Sequence, residues 1–532
     1  MDITEFNGIV AYHDGIAVSD YCNVVPLGSS IIDRQGEYCV DPTYIANAKT
    51  RVIETFVDSK RNIYIATTAA ITRYSIDVLP SGHHAISTQV MSIPVGETVS
   101  FCESSTKPSQ VYCCTNGRVW YWNTEALPTQ GVAAEYLDRC QAYIPIEVPC
   151  IADVDSIFNK DAIIVDGWWP TVNSTNYNLD NRIKVSRVTW FDNRLVLVEA
   201  SKNTVWLSEV DPSRFIYPVN GKPSKSIVTY NAANNTYLQS FIPHYYSSTA
   251  SSAVLVDAIA FAGQLYFLND TSIEVWSATG NGDNPIQHNS QNTLYYGGRS
   301  PVIVADTLYL ICRDAIHNDF IAAIGQNGQI AHVSNTEIER RLQPAAAILK
   351  PLSIRDQSMI VVYRDSDMTE GYSVTTKSLW WRYFNGKRTD EFVVWSIVNY
   401  DGIIYGVSNR GFLVRLDEST RVYLDARAIP RNVTGAFLSF VGRKILRTVE
   451  IICDTGIYYE PSEQLRPKFY LRVSFDRGMN FGPIIHRSLG ASGKNDRCMV
   501  WRNCGSGNSI LLQFGTSDNV RFQIYGLHFD LT

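Results

Sequence analysis

The sequence predicts an all-β chain: a β-propeller of six or seven irregular blades with insertions, followed by a C-terminal antiparallel β-sheet or sandwich. Three observations predict it. Apolar residues alternate with a period of two, and amphipathic helical stretches are nearly absent. Aromatic residues reach 12% while charged residues make up only 18%, and 33 Gly and 21 Pro tilt the composition further towards strands and turns. The third observation is a hairpin pattern that recurs about seven times between residues 60 and 420.

Residues 1–50 carry scattered Gly, Pro and Asp with little periodicity and read as an arm or irregular first strands. The propeller is expected over residues 51–423. In each hairpin a polar turn leads into a short strand centred on Tyr or another large apolar residue. A second polar turn and a second strand follow. Ile63-Tyr64-Ile65 is paired in this way with Ile71-Thr72-Arg73-Tyr74, and Val111-Tyr112-Cys113 with Val119-Trp120-Tyr121-Trp122 across Asn116-Gly117. Leu195-Val196-Leu197 is matched with Val205-Trp206-Leu207, and Leu265-Tyr266-Phe267-Leu268 with Ile273-Glu274-Val275-Trp276. Later units are Leu308-Tyr309-Leu310, Met359–Tyr363 with Leu379-Trp380-Trp381, and Ile403-Ile404-Tyr405 with Phe412–Leu416. Each is expected to be the inner pair of a four-stranded blade, with Tyr64, Tyr112, Tyr266, Tyr309 and Tyr405 buried against the next blade. A β-sandwich made of the same hairpins is the alternative, because a meander does not by itself close a ring.

The unequal spacing of the units implies insertions near residues 125–185 and 212–250. Their aromatics, Trp168, Trp169, Tyr177, Tyr245 and Tyr246, are candidates for an interface, since aromatics outside a repeat are available to a partner. From residue 424 to 532 the strands lengthen and alternate, as in Lys444–Ile452 and Lys468–Phe475, which suggests a sheet with one wet face.

Charge and motifs narrow the chemistry. A net charge of −6 disfavours an electrostatic DNA binder. No apolar run approaches the roughly 20 residues of a membrane span, and Met1-Asp2-Ile3-Thr4-Glu5 lacks the basic start of a signal peptide. The 11 cysteines include no CxxC, and adjacent Cys113 and Cys114 on one strand diverge, so buried thiols in a reducing compartment are expected. The nine histidines show no metal-ligand spacing. No nucleophile elbow and no phosphate loop occurs, so no catalytic residue, metal or cofactor is assigned.

One segment fits the Asp-box turn S-x-D-x-G-x-x-[FW]: Ser474, Asp476, Gly478 and Phe481. Asp476 is expected to accept bonds from backbone N–H groups of the turn, Gly478 to adopt positive φ, and Phe481 to plug the turn into the core. Such a box braces a hairpin and is not itself catalytic.

From about Arg187 to the C-terminus the chain resembles the packaged-DNA stabilisation, or tail hub (nozzle), proteins of short-tailed bacteriophages. The stretches that carry the resemblance are Arg187-Val188-Thr189-Trp190-Phe191-Asp192-Asn193-Arg194, Val205–Phe215, Gln264–Trp276 and Ala323–Ile330 running into Ile338–Leu342. Near the end, Ser474-x-Asp476-x-Gly478-x-x-Phe481-Gly482 and Val500-Trp501-Arg502 are similar to family turn and strand motifs. The resemblance implies a structural virion protein made in the host cytoplasm, not an enzyme. It implies a homo-hexameric ring below the head-to-tail adaptor that continues the channel for double-stranded DNA, retains the genome and carries tail fibres or tailspikes. No membrane partner is implied for the mature virion. Two other readings stand beside it, a sialidase-like glycan-cleaving or glycan-binding propeller and a propeller scaffold or receptor domain without catalysis.

Overall fold

The computed structural model describes residues 52–124, 183–212, 244–334, 347–354, 431–454, 467–490 and 497–532 nearly throughout, and strand segments only within 2–40, 146–148, 230–237 and 357–417. Strand dominates the described chain, and the fold is a β-propeller whose 348–384 meander continues through Asp20–Cys22 into a C-terminal sheet. Contacts divide it into two compact units, residues 50–303 with 307–333, and residues 1–49 and 304–306 with 334–532.

The first unit holds five four-stranded antiparallel blades, at residues 52–91, 99–148, 185–247, 255–288 and 297–332. Each begins with a hairpin whose second strand is buried on both faces. Ile63–Thr67, Gln110–Thr115 and Arg194–Glu199 show no exposed position. Such strands need apolar residues at every position, as in a parallel sheet, which is why the sequence there reads as short continuous runs. The alternate residues then serve two different cores. Val111 and Cys113 pack with Tyr64, Ile71 and Val99 between blades one and two. Tyr112 and Cys114 pack with Val188, Trp190 and Leu195 between blades two and three. The same division recurs between blades three and four, through Val196, Val198 and Phe267, and between four and five, through Tyr266, Leu268 and Leu310. A blade is therefore stabilised by its neighbours, about 25 cal/mol for each Å² of apolar surface removed from water.

The second unit holds two more blades. Residues 348–384 form a meander of Ile348–Ile354, Gln357–Tyr363, Met368–Ser373 and Ser378–Phe384. This corrects one expected pairing: Met359–Tyr363 lies against Met368–Ser373, and the Leu379-Trp380-Trp381 run belongs to the next strand. The intervening strand is polar and contains Gly371, so its pattern is weak beside the apolar run that follows.

In the last blade, Trp395–Tyr400, Ile403–Val407 and Leu413–Asp417 are completed by Gly36–Cys39, antiparallel to Leu413–Asp417. The N-terminal segment thus supplies the final strand of the final blade, not a first one. Tyr64, Tyr112, Tyr266, Tyr309 and Tyr405 are all buried as expected.

The C-terminal sheet is built on Arg431–Asp454, which pairs along most of its length with Arg497–Thr516. Its second half also pairs with Gln523–Leu531, and Lys468–Ser474 flanks the other side of Arg497–Thr516. Two buried side chains fix the register. Trp501 donates from Nε1 to the carbonyl of Ile485 at 2.9 Å. The Arg431 guanidinium donates to the carbonyls of Val520, at 2.6 Å, and Asp518, and lies 5.4 Å from the Phe522 ring centroid.

Candidate functional site

The Asp-box segment forms the expected turn. Asn480 donates its backbone N–H to Asp476 Oδ1 at 2.9 Å and its side-chain amide to Asp476 Oδ2 at 2.7 Å. Ser474 Oγ donates to Asp476 at 2.7 Å and accepts from the N–H of Gly478 at 2.9 Å, while Gly478 takes φ +91°. These bonds hold the Asp476 carboxyl below its ordinary range, the backbone N–H of Asn480 being the largest cause. The anchor differs from the expectation. Phe481 is half-buried, with Arg472 5.2 Å from its ring centroid. Phe475 fills the anchoring role: it packs on the core, and Cβ atoms at Gly505 and Gly507 would lie 2.6 and 2.8 Å from its ring. Only glycine leaves room for the ring there.

Among the described residues the same brace occurs twice in the blades, at positions that no motif had marked. In Asp58-x-x-x-Asn62 and Asp314-x-x-x-Asn318 the Asn donates its N–H to the Asp carboxylate four residues earlier, at 2.7 and 2.8 Å. The residue before each Asn, Arg61 and His317, has φ near +65°. An Asp and Asn four apart between apolar runs was the available signal. In the first blade the brace extends inward. Tyr64 donates its hydroxyl to Asp58 at 3.0 Å, and Trp122 of the second blade donates to the Tyr64 oxygen at 3.2 Å. Replacing Asp476 by alanine should speed hydrogen exchange at the Asn480 and Gly478 amides while the core strands keep their protection. Unchanged exchange there would show the brace to be idle.

Of the candidate interface aromatics, Trp168, Trp169 and Tyr177 lie outside the described residues. Tyr245 and Tyr246 sit in a regular blade strand, His244–Ser247, the fourth strand of blade three, and not in an insertion. They point to opposite faces, as strand neighbours must. Tyr245 is 65% exposed, 5.3 Å from the ring of Trp206. Tyr246 turns towards blade four, edge-on to Trp276 at 5.5 Å, and donates to Asn284 Oδ1 at 2.8 Å. Tyr245 therefore remains available to a partner, whereas Tyr246 joins two blades.

Buried charges have structural partners. Glu274 is fully buried and accepts from the backbone of Ala250 at 2.9 Å and Thr249 at 3.1 Å, and from the hydroxyls of Ser248 and Thr249. His288 Nε2 stands 3.8 Å away and pairs with Thr293 Oγ1 at 3.0 Å. Burial pushes the Glu274 carboxyl up, but these donors outweigh it and leave it below its ordinary range. Asp319 is held between Arg299 and Arg313, each at 3.0 Å. Both clusters tie loops and strands of adjacent elements together.

Among the described residues, no group of three or more His, Cys, Asp or Glu could hold a metal ion. The seven cysteines with described side chains are thiols outside any disulfide, and all but Cys498 are buried. Burial pushes Cys114 and Cys312 up to about 12, which suits packing more than nucleophilic chemistry.

No protein-family model and no curated protein matches the sequence. Among solved structures, the extracellular domain of a putative one-component system from B. thetaiotaomicron aligns at 11% identity and TM-score 0.40, over 91% of this chain and 60% of that one. BamB from Moraxella catarrhalis aligns at 9% identity and TM-score 0.33, over 73% and 98%. Hsv2 from Kluyvelomyces marxianus aligns at 8% identity and TM-score 0.31, over 64% and 92%. At such scores these likenesses carry no functional argument.

Proposed function

We propose that this chain is a structural tail protein of a short-tailed bacteriophage, a nozzle or hub subunit. In this reading six copies form a ring below the head-to-tail adaptor. The ring continues the DNA channel, retains the packaged genome and supports fibres or spikes. The observation that carries the reading is the ordered series of family-like stretches from Arg187 to Val500-Trp501-Arg502. The architecture is compatible with that role. Blades stacked on continuous apolar cores make a stiff body, and charges buried in partnered sets such as Glu274 and Asp319 serve mechanical continuity. The Asp476 turn braces a hairpin and adds nothing to the glycan-cleaving alternative.

A ring that lets a polyanion pass must not grip it. Every phosphate neutralised by Lys or Arg adds a salt-dependent term, and a long duplex would meet such contacts in sequence. An acidic chain with net charge −6 suits a bore that retains DNA by narrowing, not by binding phosphates. Negative-stain microscopy of the purified chain should show six-fold rings with a central hole, and filter binding should show only weak, salt-sensitive retention of duplex DNA. Monomeric particles throughout, tight DNA binding at physiological salt, or turnover of a sialoside would overturn the reading.

A further inference from the structure

We propose that the bulge at Phe440–Arg443 is a docking knob that seats against a second copy of this chain; the inference rests on the ring reading above. The register along the two long C-terminal strands jumps from Ser439 opposite Ser509 to Lys444 opposite Gly507, so four residues on one strand face one on the other. A bulge of this kind re-aims side chains out of a sheet. Phe440 turns inward and packs on the core, Gly442 takes φ +93°, and Arg443 Nε is tied to Ser506 Oγ at 2.9 Å. Held between these anchors, Val441 projects at 106% exposure, an apolar side chain with none of its surface covered. Just beyond it the chain is clamped again, as Ile445 and Thr532 exchange backbone bonds of 2.8 and 3.0 Å. The tip is therefore preorganised, which lowers the ordering cost of binding.

Charge selects the occupant. Residues 436–447 and 498–509 contain four positive side chains, Arg443, Lys444, Arg447 and Arg502, against one exposed acid on the flanking strand, Asp530 opposite Thr448, while the whole chain carries −6. All four are exposed. Two copies of an acidic chain repel each other unless a surface of opposite sign mediates their approach. The knob is such a surface, and Val441 supplies an apolar anchor of the kind that sits at interface centres. A basic tip meeting acidic surface elsewhere on the next copy is a head-to-tail contact, the type that closes into rings. A nucleic acid would use the four cations but would have no use for Val441.

The test is sedimentation velocity of the full chain over a concentration series at low and high salt. It compares wild type, Val441→Asp, the Arg443→Glu/Lys444→Glu pair, and Ile316→Asp as a substitution at another exposed apolar residue. Near-UV circular dichroism reports the fold of each. The expected result is wild-type self-association, weakened at least 10-fold in the two knob variants, unchanged in Ile316→Asp, and salt-sensitive in wild type. Knob variants that associate as wild type does would overturn the docking role and leave the ring reading standing. A wild type that stays monomeric at every concentration would overturn both. Loss of binding to a fluorescent DNA duplex in the charge-reversed pair, with self-association intact, would replace the second copy by nucleic acid and overturn the proposal.

Discussion

Replacing Trp122 by alanine should lower the unfolding free energy by about 3–5 kcal/mol, the usual cost of deleting a large buried aromatic. Trp122 is 1% exposed and lies in the apolar layer shared by the first two blades, 5.4 Å from the Tyr64 ring and edge-on to Phe101 at 6.4 Å. It also heads a hydrogen-bond relay, donating to Tyr64, which donates to Asp58. Tyr64→Phe tests the relay separately from the volume. It keeps the ring but leaves the Trp122 N–H without its acceptor, at a cost of about 1–3 kcal/mol. Guanidinium titrations of the intact chain give both values. A Trp122→Ala loss below about 1 kcal/mol would mean that the two blades do not depend on their shared layer.

Removal of the Glu274 carboxylate should have an effect of similar size. Glu274→Leu deletes a fully buried acceptor for the N–H groups of Thr249 and Ala250 and for two hydroxyls. Leaving a buried hydrogen-bond donor without its acceptor costs about 1–3 kcal/mol, and Glu274 serves several donors. The pH dependence follows from the direction of the shift. The folded carboxyl titrates below its ordinary range, so its stabilising contribution is fully present above the unfolded value and is lost as pH falls through the folded one. Wild type should therefore lose stability in acid more steeply than Glu274→Gln. Superimposable acid-unfolding profiles for the two proteins would exclude the carboxylate as the source.

The blade hairpins were legible because their residues have no alternative use. Gln110–Thr115 serves two apolar layers at once, which demands the run Val111-Tyr112-Cys113-Cys114, and the Asn116-Gly117 turn marks its end. Legibility fails where long-range pairing overrides a weak local pattern. Nothing in Gly36-Glu37-Tyr38-Cys39 announces a strand; its partner lies almost at the other end of the propeller sequence. Met368–Ser373 is a strand because it is caught between two stronger ones. At the Asp476 turn the bonds of the acid were readable from its spacing. The choice of Phe475 over Phe481 as anchor was not, because it depends on room left by Gly505 and Gly507 some thirty residues away. The Glu274 site reads locally as an ordinary exposed strand position, and its donors come from the preceding blade's connection.

The strand Gly36–Cys39 has a consequence on the ribosome. Its partner, Leu413–Asp417, is synthesised about 375 residues later. At about 5–20 residues per second, the early strand waits roughly 20 to 75 s before its neighbour exists. During that interval the five blades of the first unit can form from local hairpins, each within a short stretch of chain, while the last sheet cannot be completed. Asp2–Ile3 waits longer still, for Gln523–Leu531 at the far end of the sequence. Until Leu413–Asp417 exists, the four residues of Gly36–Cys39, with unsatisfied backbone groups, are offered to any other nascent copy on the same message.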